Sequence, residues 1–335
     1  MTSTTAPAAA FADLVQAAKG RVVCLAMSKD PNAKMTVLLF AKGGSAPERV
    51  AKVPTTEAAA LRVEAEAAVL RELALLDLGP LAGTVPRVLA MADDRGRPVL
   101  VTTALPGRQM LAAYHTWRHT ARPAAVRADF TAAGGWLAEL VERTVGGDAD
   151  LATMLDGTAA KLERRFCADP ALGADLEHLA GLRAELSGHR VRLACVHGDF
   201  WPGNLLVDGG TISGVVDWES ARLGALAVRD VAHFALTYSL YLDRHTRPGR
   251  PVAGHQGLRA GAWGAGLDYA LDARGWYPEL VRAWVGEGLE RLGVPSSLAR
   301  GVLLAQLACN AAEADHPEFA ANTLLAYRRL SRVRS

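Results

Sequence analysis

Short apolar runs alternate with turn-forming clusters over the first hundred residues, and longer helical patterns take over after them. Residues 21–27, 35–40, 49–53 and 98–103 are short runs bounded by turn chemistry, and each reads as a β-strand. Ser28-Lys29-Asp30-Pro31-Asn32 and Gly43-Gly44-Ser45-Ala46-Pro47 are the turns between the first three. One helix over 56–76 interrupts the series, with Thr55 or Thr56 as its cap and Glu57 at its positive end. Leu61, Ala65, Ala68, Val69, Glu72 and Leu76 give it an amphipathic but partly solvated face. Ala104-Leu105-Pro106-Gly107 breaks the pattern. The helical period then governs 130–144, 151–166, 172–186, 225–242, 267–274, 278–292 and 297–327. A hairpin of strand-length runs interrupts the helices: 193–196, then 205–207 and 212–216 joined by Asp208-Gly209-Gly210. The prediction is an α+β chain in three parts. Residues 1–19 form a tail with a short helix, 20–104 a small antiparallel sheet with one helix, and 105–335 a larger, mainly helical body.

Composition narrows the function classes. Half of the 335 residues are apolar, enough for a sizeable core, and the net charge of +2 gives no bulk attraction to nucleic acid. Cys24, Cys167, Cys195 and Cys309 form no C-x-x-C pair, so reduced thiols in a cytoplasmic protein are expected. The first twenty residues lack the basic start and apolar core of a signal peptide, and no apolar run reaches the ~18 residues of a membrane span.

The chemistry concentrates at the hairpin. His197-Gly198-Asp199 follows the first strand, Asn204 closes the next loop, and Asp217-Trp218-Glu219 ends the last strand. Phosphoryl transfer needs an oriented hydroxyl and a cation on the polyphosphate. Asp199 can accept a hydroxyl proton, and Asn204 and Asp217 can supply the hard oxygen ligands that Mg²⁺ takes beside phosphate oxygens and water. A loop folded back from Asp199 to Asn204 would bring base and metal ligand together.

This H-G-D-x-x-x-x-N followed by D-W-E resembles the catalytic and metal-binding loops of the aminoglycoside phosphotransferase and choline kinase-like family. The resemblance implies a bilobal, protein-kinase-like fold that binds ATP or GTP with Mg²⁺ between its lobes and transfers phosphate to a hydroxyl-bearing acceptor. Val50-Ala51-Lys52-Val53 matches the V-A-x-K strand of a kinase-like nucleotide lobe, so Lys52 would meet the nucleotide phosphates. Glu64 and Glu66 are both available to hold Lys52, and the family pattern favours Glu66. No G-x-G-x-x-G occurs; the resembling family uses a short hairpin loop, where the Ser28 hydroxyl and the amides of 28–32 would reach the β-phosphate. The strand-x-P-G segment would be the hinge, with backbone groups of Thr103 and Leu105 against the adenine. His197 would brace the catalytic loop, and Asp230 would bond its backbone.

The acceptor side departs from what a polycationic antibiotic needs. Residues 114–122 and 238–259 are rich in Arg, His, Tyr and Trp, and acids do not outnumber bases there. These segments would either form a solvated surface or receive a neutral, anionic or peptidic hydroxyl compound. The leading expectation is therefore a kinase of a small metabolite or natural product other than a polycationic aminoglycoside. Two alternatives stand beside it. One is a kinase of Ser or Thr in a peptide of lanthipeptide type, which could require a partner protein. The other is a nucleotide-binding pseudokinase, against which the complete set of expected catalytic groups argues.

Overall fold

Turn chemistry and β-branched residues build the first sheet. A computed structural model describes residues 20–27 and 31–332, so the tail over 1–19 and Ser28 lie outside the described residues. The chain forms two compact units. The first comprises the described residues up to Gly107 with Leu206–Asp208 and Ile212–Ala221; the second comprises Arg108–Leu205, Gly209–Thr211 and the chain from Arg222 onward.

In the first unit, β1 (Val22–Met27), β2 (Lys34–Phe40), β3 (Pro47–Pro54), β4 (Val88–Asp94) and β5 (Arg97–Thr103) make an antiparallel sheet in the order β1-β2-β3-β5-β4. Strand side chains alternate between faces. Val37, Leu39, Ala51, Val53, Ala92, Val99 and Val101 gather in one buried cluster, so Lys52, between Ala51 and Val53, belongs to the other face. Strand β4 was not expected from the sequence. It turns into β5 through Arg95 and Gly96, both at positive φ (55° and 81°), the backbone of a tight two-residue hairpin. Arg95 is an unusual residue there, but Gly96 and Asp93, which accepts from Gly96 N at 3.0 Å, are turn chemistry.

Helix α1 (Glu57–Leu73) is capped by the Thr56 hydroxyl, which accepts from Ala59 N at 3.2 Å. Its buried stripe is Ala59, Ala60, Val63, Glu66, Ala67, Leu70 and Leu73. The face expected from the sequence is wrong: Leu61 is 61% exposed and Leu76 lies beyond the helix, 40% exposed. Alanine on most sides leaves a weak amphipathic signal, and packing decides which stripe turns inward.

The second unit opens with β6 (Arg108–Gln109), α2 (Met110–Tyr114) and α3 (Pro123–Thr144), followed by β7 (Asp148–Asp150). Next come α4 (Thr158–Phe166) and α5 (Leu172–Leu186). The segment expected as one helix over 151–166 is a 3₁₀ turn, Leu151–Leu155, then α4, because Asp156 is extended and Gly157 sits at φ 72°. Strand β8 (Arg190–Val196) leads into the catalytic-loop segment. The hairpin β9 (Leu205–Asp208) and β10 (Thr211–Val215) follows, and β11 (Arg222–Leu226) pairs back onto β8 beside β7.

Helices α6 (Val228–Leu240), α7 (Ala265–Asp272), α8 (Trp276–Arg291), α9 (Ala299–Glu313) and α10 (Pro317–Arg332) complete the unit. Helix α9 is buried almost all round, which suits its apolar sequence. The single helix expected over 297–327 is α9 and α10. Ala314 is extended, and Pro317 opens α10, because proline disfavours helical backbone before it and has no N–H to donate into a preceding turn. Phe130, Phe234, Tyr238, Tyr277 and Trp284 form an aromatic core whose ring centroids lie 4.9 to 6.4 Å apart along the chain of contacts.

Candidate active site

In the first unit, register decides what faces Lys52. Lys52 stands opposite Thr36 on β2 and Leu100 on β5. Its Nζ donates to both Glu66 oxygens at 2.6 Å. The side chains are 7% and 2% exposed as residues. Glu64 is exposed on α1; one residue of helical rotation separates partner from solvated acid. Glu66 Oε1 also accepts from Trp218 N at 3.2 Å, and Lys52 bonds Asp217 Oδ1. Burial opposes the Lys52 charge, yet the carboxylates of Glu66 and Asp217 outweigh it and hold the ammonium above its ordinary pKa.

Asp217 has a left-handed backbone, φ 64°, ψ 61°. A non-glycine residue pays for that conformation, and such strain persists where surrounding contacts enforce it. Here Trp218, fully buried, donates its indole N–H to Val215 O at 2.8 Å and pins the turn. Next to it, Glu219 accepts from Asn32 Nδ2 at 2.7 Å and pairs with Lys34. Lys34 was missed in the sequence reading. Strand alternation offers the signal, because Lys34 and Thr36 share a face and Thr36 is opposite Lys52. Two lysines of one sheet face thus each meet a carboxylate of the D-W-E segment.

The two residues expected to meet the adenine divide. Thr103 N donates to Arg87 O at 2.9 Å and Thr103 Oγ1 accepts from Arg87 N at 3.0 Å, so the Thr103 N–H and hydroxyl are already engaged within the sheet. Leu105 follows the strand and packs where a Cβ on Gly214 would come within 2.8 Å of its own Cβ. Gly107 at φ 109° lies so close to the hairpin that a Cβ would meet Ser213 Oγ at 2.2 Å, and Ser213 Oγ donates to Pro106 O at 2.7 Å.

In the second unit, the loop expected to be catalytic hangs from α6. Asp230 accepts from His197 N at 2.6 Å and Gly198 N at 2.9 Å. Burial pushes the Asp230 carboxyl above its ordinary pKa, while His197 and the two amides act against that shift. His197 is fully buried and its Nδ1 accepts from Asp199 N at 3.3 Å. Phe200 is buried and stacks on Trp136 at 5.4 Å. These contacts fix the loop while leaving the Asp199 side chain 46% exposed.

Asn204 Nδ2 donates to Asp199 O and to Asp199 Oδ2, both at 2.9 Å, so the loop does fold back on itself. With its amide nitrogen turned to Asp199, Asn204 offers Oδ1 to a cation. Among the described residues no group of three or more His, Cys, Asp or Glu could hold a metal unaided. Asn204 in the second unit carries an amide oxygen and Asp217 in the first a carboxylate, each a hard donor of the kind Mg²⁺ accepts.

A second residue missed in the sequence is His233. Its Nε2 lies 3.2 Å from Asp199 Oδ1, while its Nδ1 is buried without a hydrogen-bond partner. A buried bare lone pair costs less than a buried unpaired N–H, so the tautomer with the proton on Nε2 fits, donating to Asp199. The signal was spacing: His233 is three residues after Asp230 on α6, hence on the same helical face.

The two basic, aromatic segments singled out in the sequence meet each other. His255 Nε2 bonds Thr120 O at 2.9 Å, Tyr114 OH donates to Tyr238 O at 3.0 Å, and His245 Nε2 lies 2.8 Å from His115 Nδ1.

The profile of the phosphotransferase enzyme family (APH) matches residues 36–267. No curated protein sequence matches. Solved structures with a similar fold include a thermostable mutant of aminoglycoside phosphotransferase APH(4)-Ia in ternary complex with ADP and hygromycin B. It has a TM-score of 0.59 and 13% identity, covering 97% of this chain and 98% of that one. The gentamicin–APH(2")-IIa complex aligns with a TM-score of 0.54 and 14% identity over 97% and 95%. The macrolide 2'-phosphotransferase MphH from Brachybacterium faecium aligns at 0.50 and 19% over 93% and 97%. With the profile covering well over half of its residues, the chain belongs to the phosphotransferase enzyme family and has that family's kinase-like fold.

Proposed function

We propose that the protein transfers the γ-phosphate of ATP or GTP, with Mg²⁺, to a hydroxyl of a small metabolite or natural product. Residues 20–104 are assigned to the nucleotide, and 105–335 to the catalytic loop and acceptor. The observation that carries this reading is Lys52, a buried cation held by both oxygens of Glu66 on a rigid sheet. A cation fixed in that way meets phosphate without paying to be ordered. Nucleotide use is further supported by the ADP and ATP complexes among the similar structures.

Each named residue then has one task. Lys52, positioned by Glu66, pairs with the nucleotide phosphates. Asn204 and Asp217 would each offer a hard oxygen to Mg²⁺, and the ion would neutralise phosphate charge. Leu105 offers backbone groups to the base, and Ser28 is assigned to the phosphate loop. Asp199 accepts the hydrogen bond of the acceptor hydroxyl and takes its proton as the new P–O bond forms and the bond to the nucleoside diphosphate breaks. Asn204 and His233 keep its carboxylate oriented for that bond.

The acceptors named for the similar structures are antibiotics: hygromycin B, gentamicin and macrolides. An acceptor of natural-product type is therefore our reading, but not a polycation, because Arg244, His115 and His245 lie in the segments that border the catalytic loop. The test is a transfer screen with purified protein, Mg²⁺ and ATP or GTP against macrolides, aminoglycosides, nucleosides, sugars and Ser/Thr peptides. Transfer to one acceptor class that disappears in Asp199→Ala is expected. Transfer confined to aminoglycosides would overturn the acceptor reading, and absence of nucleotide binding would overturn the whole.

A further inference from the structure

Beyond Asp199 the helical unit presents an aromatic and basic wall. Trp201 lies two residues past Asp199, over Gly203, where a Cβ would come within 2.3 Å of its ring. Its ring centroid is 6.4 Å from that of Tyr241. Tyr241 caps the C-terminus of α6, the helix that carries His233 to Asp199. Burial pushes the Tyr241 hydroxyl up, Arg244 acts against that shift, and the charge of Asp199 adds to it. Tyr241 therefore stands in the fields of both groups.

Arg244 places its guanidinium 5.4 Å from the centre of the Tyr241 ring. The next residue, His245, meets His115 edge to face at 4.8 Å, nitrogen to nitrogen at 2.8 Å. An N–H···N bond between imidazoles needs one donor and one bare acceptor, so the pair holds at most one extra proton in this geometry. Burial first, then the neighbouring His245 and Arg244, hold His115 below its ordinary pKa. Of the acids nearby, Asp243 accepts from Gly261 N at 3.1 Å, Asp129 is bonded by His119 and Tyr238 at 2.7 Å each, and Asp199 stays half exposed at the reacting end of the wall. Arg244 and His245 are exposed and Trp201 and Tyr241 half-buried, so the wall faces solvent with rings and positive charge.

We propose that Trp201, Tyr241, Arg244 and the His115–His245 pair form the acceptor subsite, and that it takes a ring-bearing hydroxyl compound carrying an anionic group, a carboxylate or a phosphate. The rings of Trp201 and Tyr241 pack on the flat face of the acceptor. Arg244 gives a charge-assisted hydrogen bond to the anion, and the histidine pair adds an imidazole N–H donor. A polycation would meet like charge there. This assignment rests on Asp199 being the group that orients the acceptor hydroxyl.

The experiment uses probes that share a ring and differ in charge: glucose, glucuronate, glucose 6-phosphate and glucosamine, with 4-hydroxybenzoate against 4-hydroxybenzyl alcohol. Binding is read on the full chain by NMR of the His115 and His245 ring signals, with ADP binding measured in parallel by calorimetry. The anionic member of each set is expected to bind about ten-fold more tightly than the neutral or cationic one, the size of one charge-assisted contact. It is also expected to raise the pKa of His115. Glucuronate against glucose 6-phosphate distinguishes carboxylate from phosphate. Arg244→Ala and His245→Ala should each erase the preference and leave ADP affinity unchanged. Tighter binding of glucosamine, a preference that survives in the double variant, or no shift with any anionic probe at millimolar concentration overturns the subsite. Absent ADP binding by the parent protein breaks the phosphotransfer reading instead, whereas intact ADP binding without charge preference breaks the subsite alone.

Discussion

The sheet unit and the helical unit hold their key acids by opposite means. Glu66 is buried and spends both oxygens on Lys52 and one of them also on the Trp218 amide. Asp199 is half exposed, and among the described residues its carboxylate meets the neutral amide of Asn204 and one nitrogen of His233. The first arrangement is an ion pair inside the protein, so removing one partner leaves a desolvated charge. The second is a loop held from behind through its backbone by Asp230 and His197, so its working carboxylate can be removed with little damage to the fold. On the proposed function the difference has a purpose: a cation for phosphate can be part of the core, whereas a base for an incoming hydroxyl has to stay reachable.

The largest effect should separate these two designs most sharply. Asp199→Ala is expected to lower transfer about 10³-fold, the scale of losing a positioned base, while the melting temperature, followed by circular dichroism, stays within a few degrees of the parent. A comparable loss of melting temperature in this variant would break the comparison. In the sheet unit the reverse holds. Glu66→Ala leaves Lys52 with Asp217 alone and should cost about 3 kcal/mol of stability, read from urea unfolding, together with weaker nucleotide binding.

His255 supplies a buried ionisable group without a counter-charge, and so sharpens the contrast with Lys52. It is 1% exposed, its Nε2 bonds Thr120 O at 2.9 Å, and burial lowers its pKa from 6.5 to about 4. Because the folded pKa lies below the unfolded one, the unfolded chain binds more protons between about pH 6.5 and 4. Stability should therefore fall as the pH drops through that window, by on the order of 3 kcal/mol in all. His255→Gln keeps a donor for Thr120 and should flatten that part of the pH–stability curve; an unchanged slope would assign it to other groups.

The smallest effect tests whether the exposed carboxylate needs its histidine. His233→Leu should reduce kcat about ten-fold, the worth of one modest hydrogen bond in the transfer step, with the nucleotide KM unchanged. His233→Gln, which retains an N–H near the Nε2 position, should recover most of the loss. Equal activity in the leucine variant would remove His233 from the positioning of Asp199.

Legibility in the sequence followed the range of the interaction. The H-G-D-x-x-x-x-N loop is local, and its fold-back is visible in spacing because the Asn204 amide that bonds Asp199 lies five positions after it. Breaks at Gly157 and Pro317 were also local signals, and the long helices drawn across them show that apolar periodicity alone does not reveal a break. The buried face of α1 was not legible, because alanines make several stripes nearly equal. Lys34 and His233 were not singled out either: their partners, Glu219 and Asp199, lie 185 and 34 residues away in the chain.

By itself the sequence determined the family, the α+β order of elements and the fold-back of the Asp199–Asn204 loop, since each is written in short-range pattern and spacing. The tertiary structure alone decided that Lys34 pairs with Glu219 and that His233 reaches Asp199. It alone joined His115 to His245 across 130 residues of sequence. Such pairings depend on strand register and on which stripe of a helix is buried. Those are set by the packing of the whole chain, in which one residue of slip or rotation would exchange an engaged side chain for a solvated one.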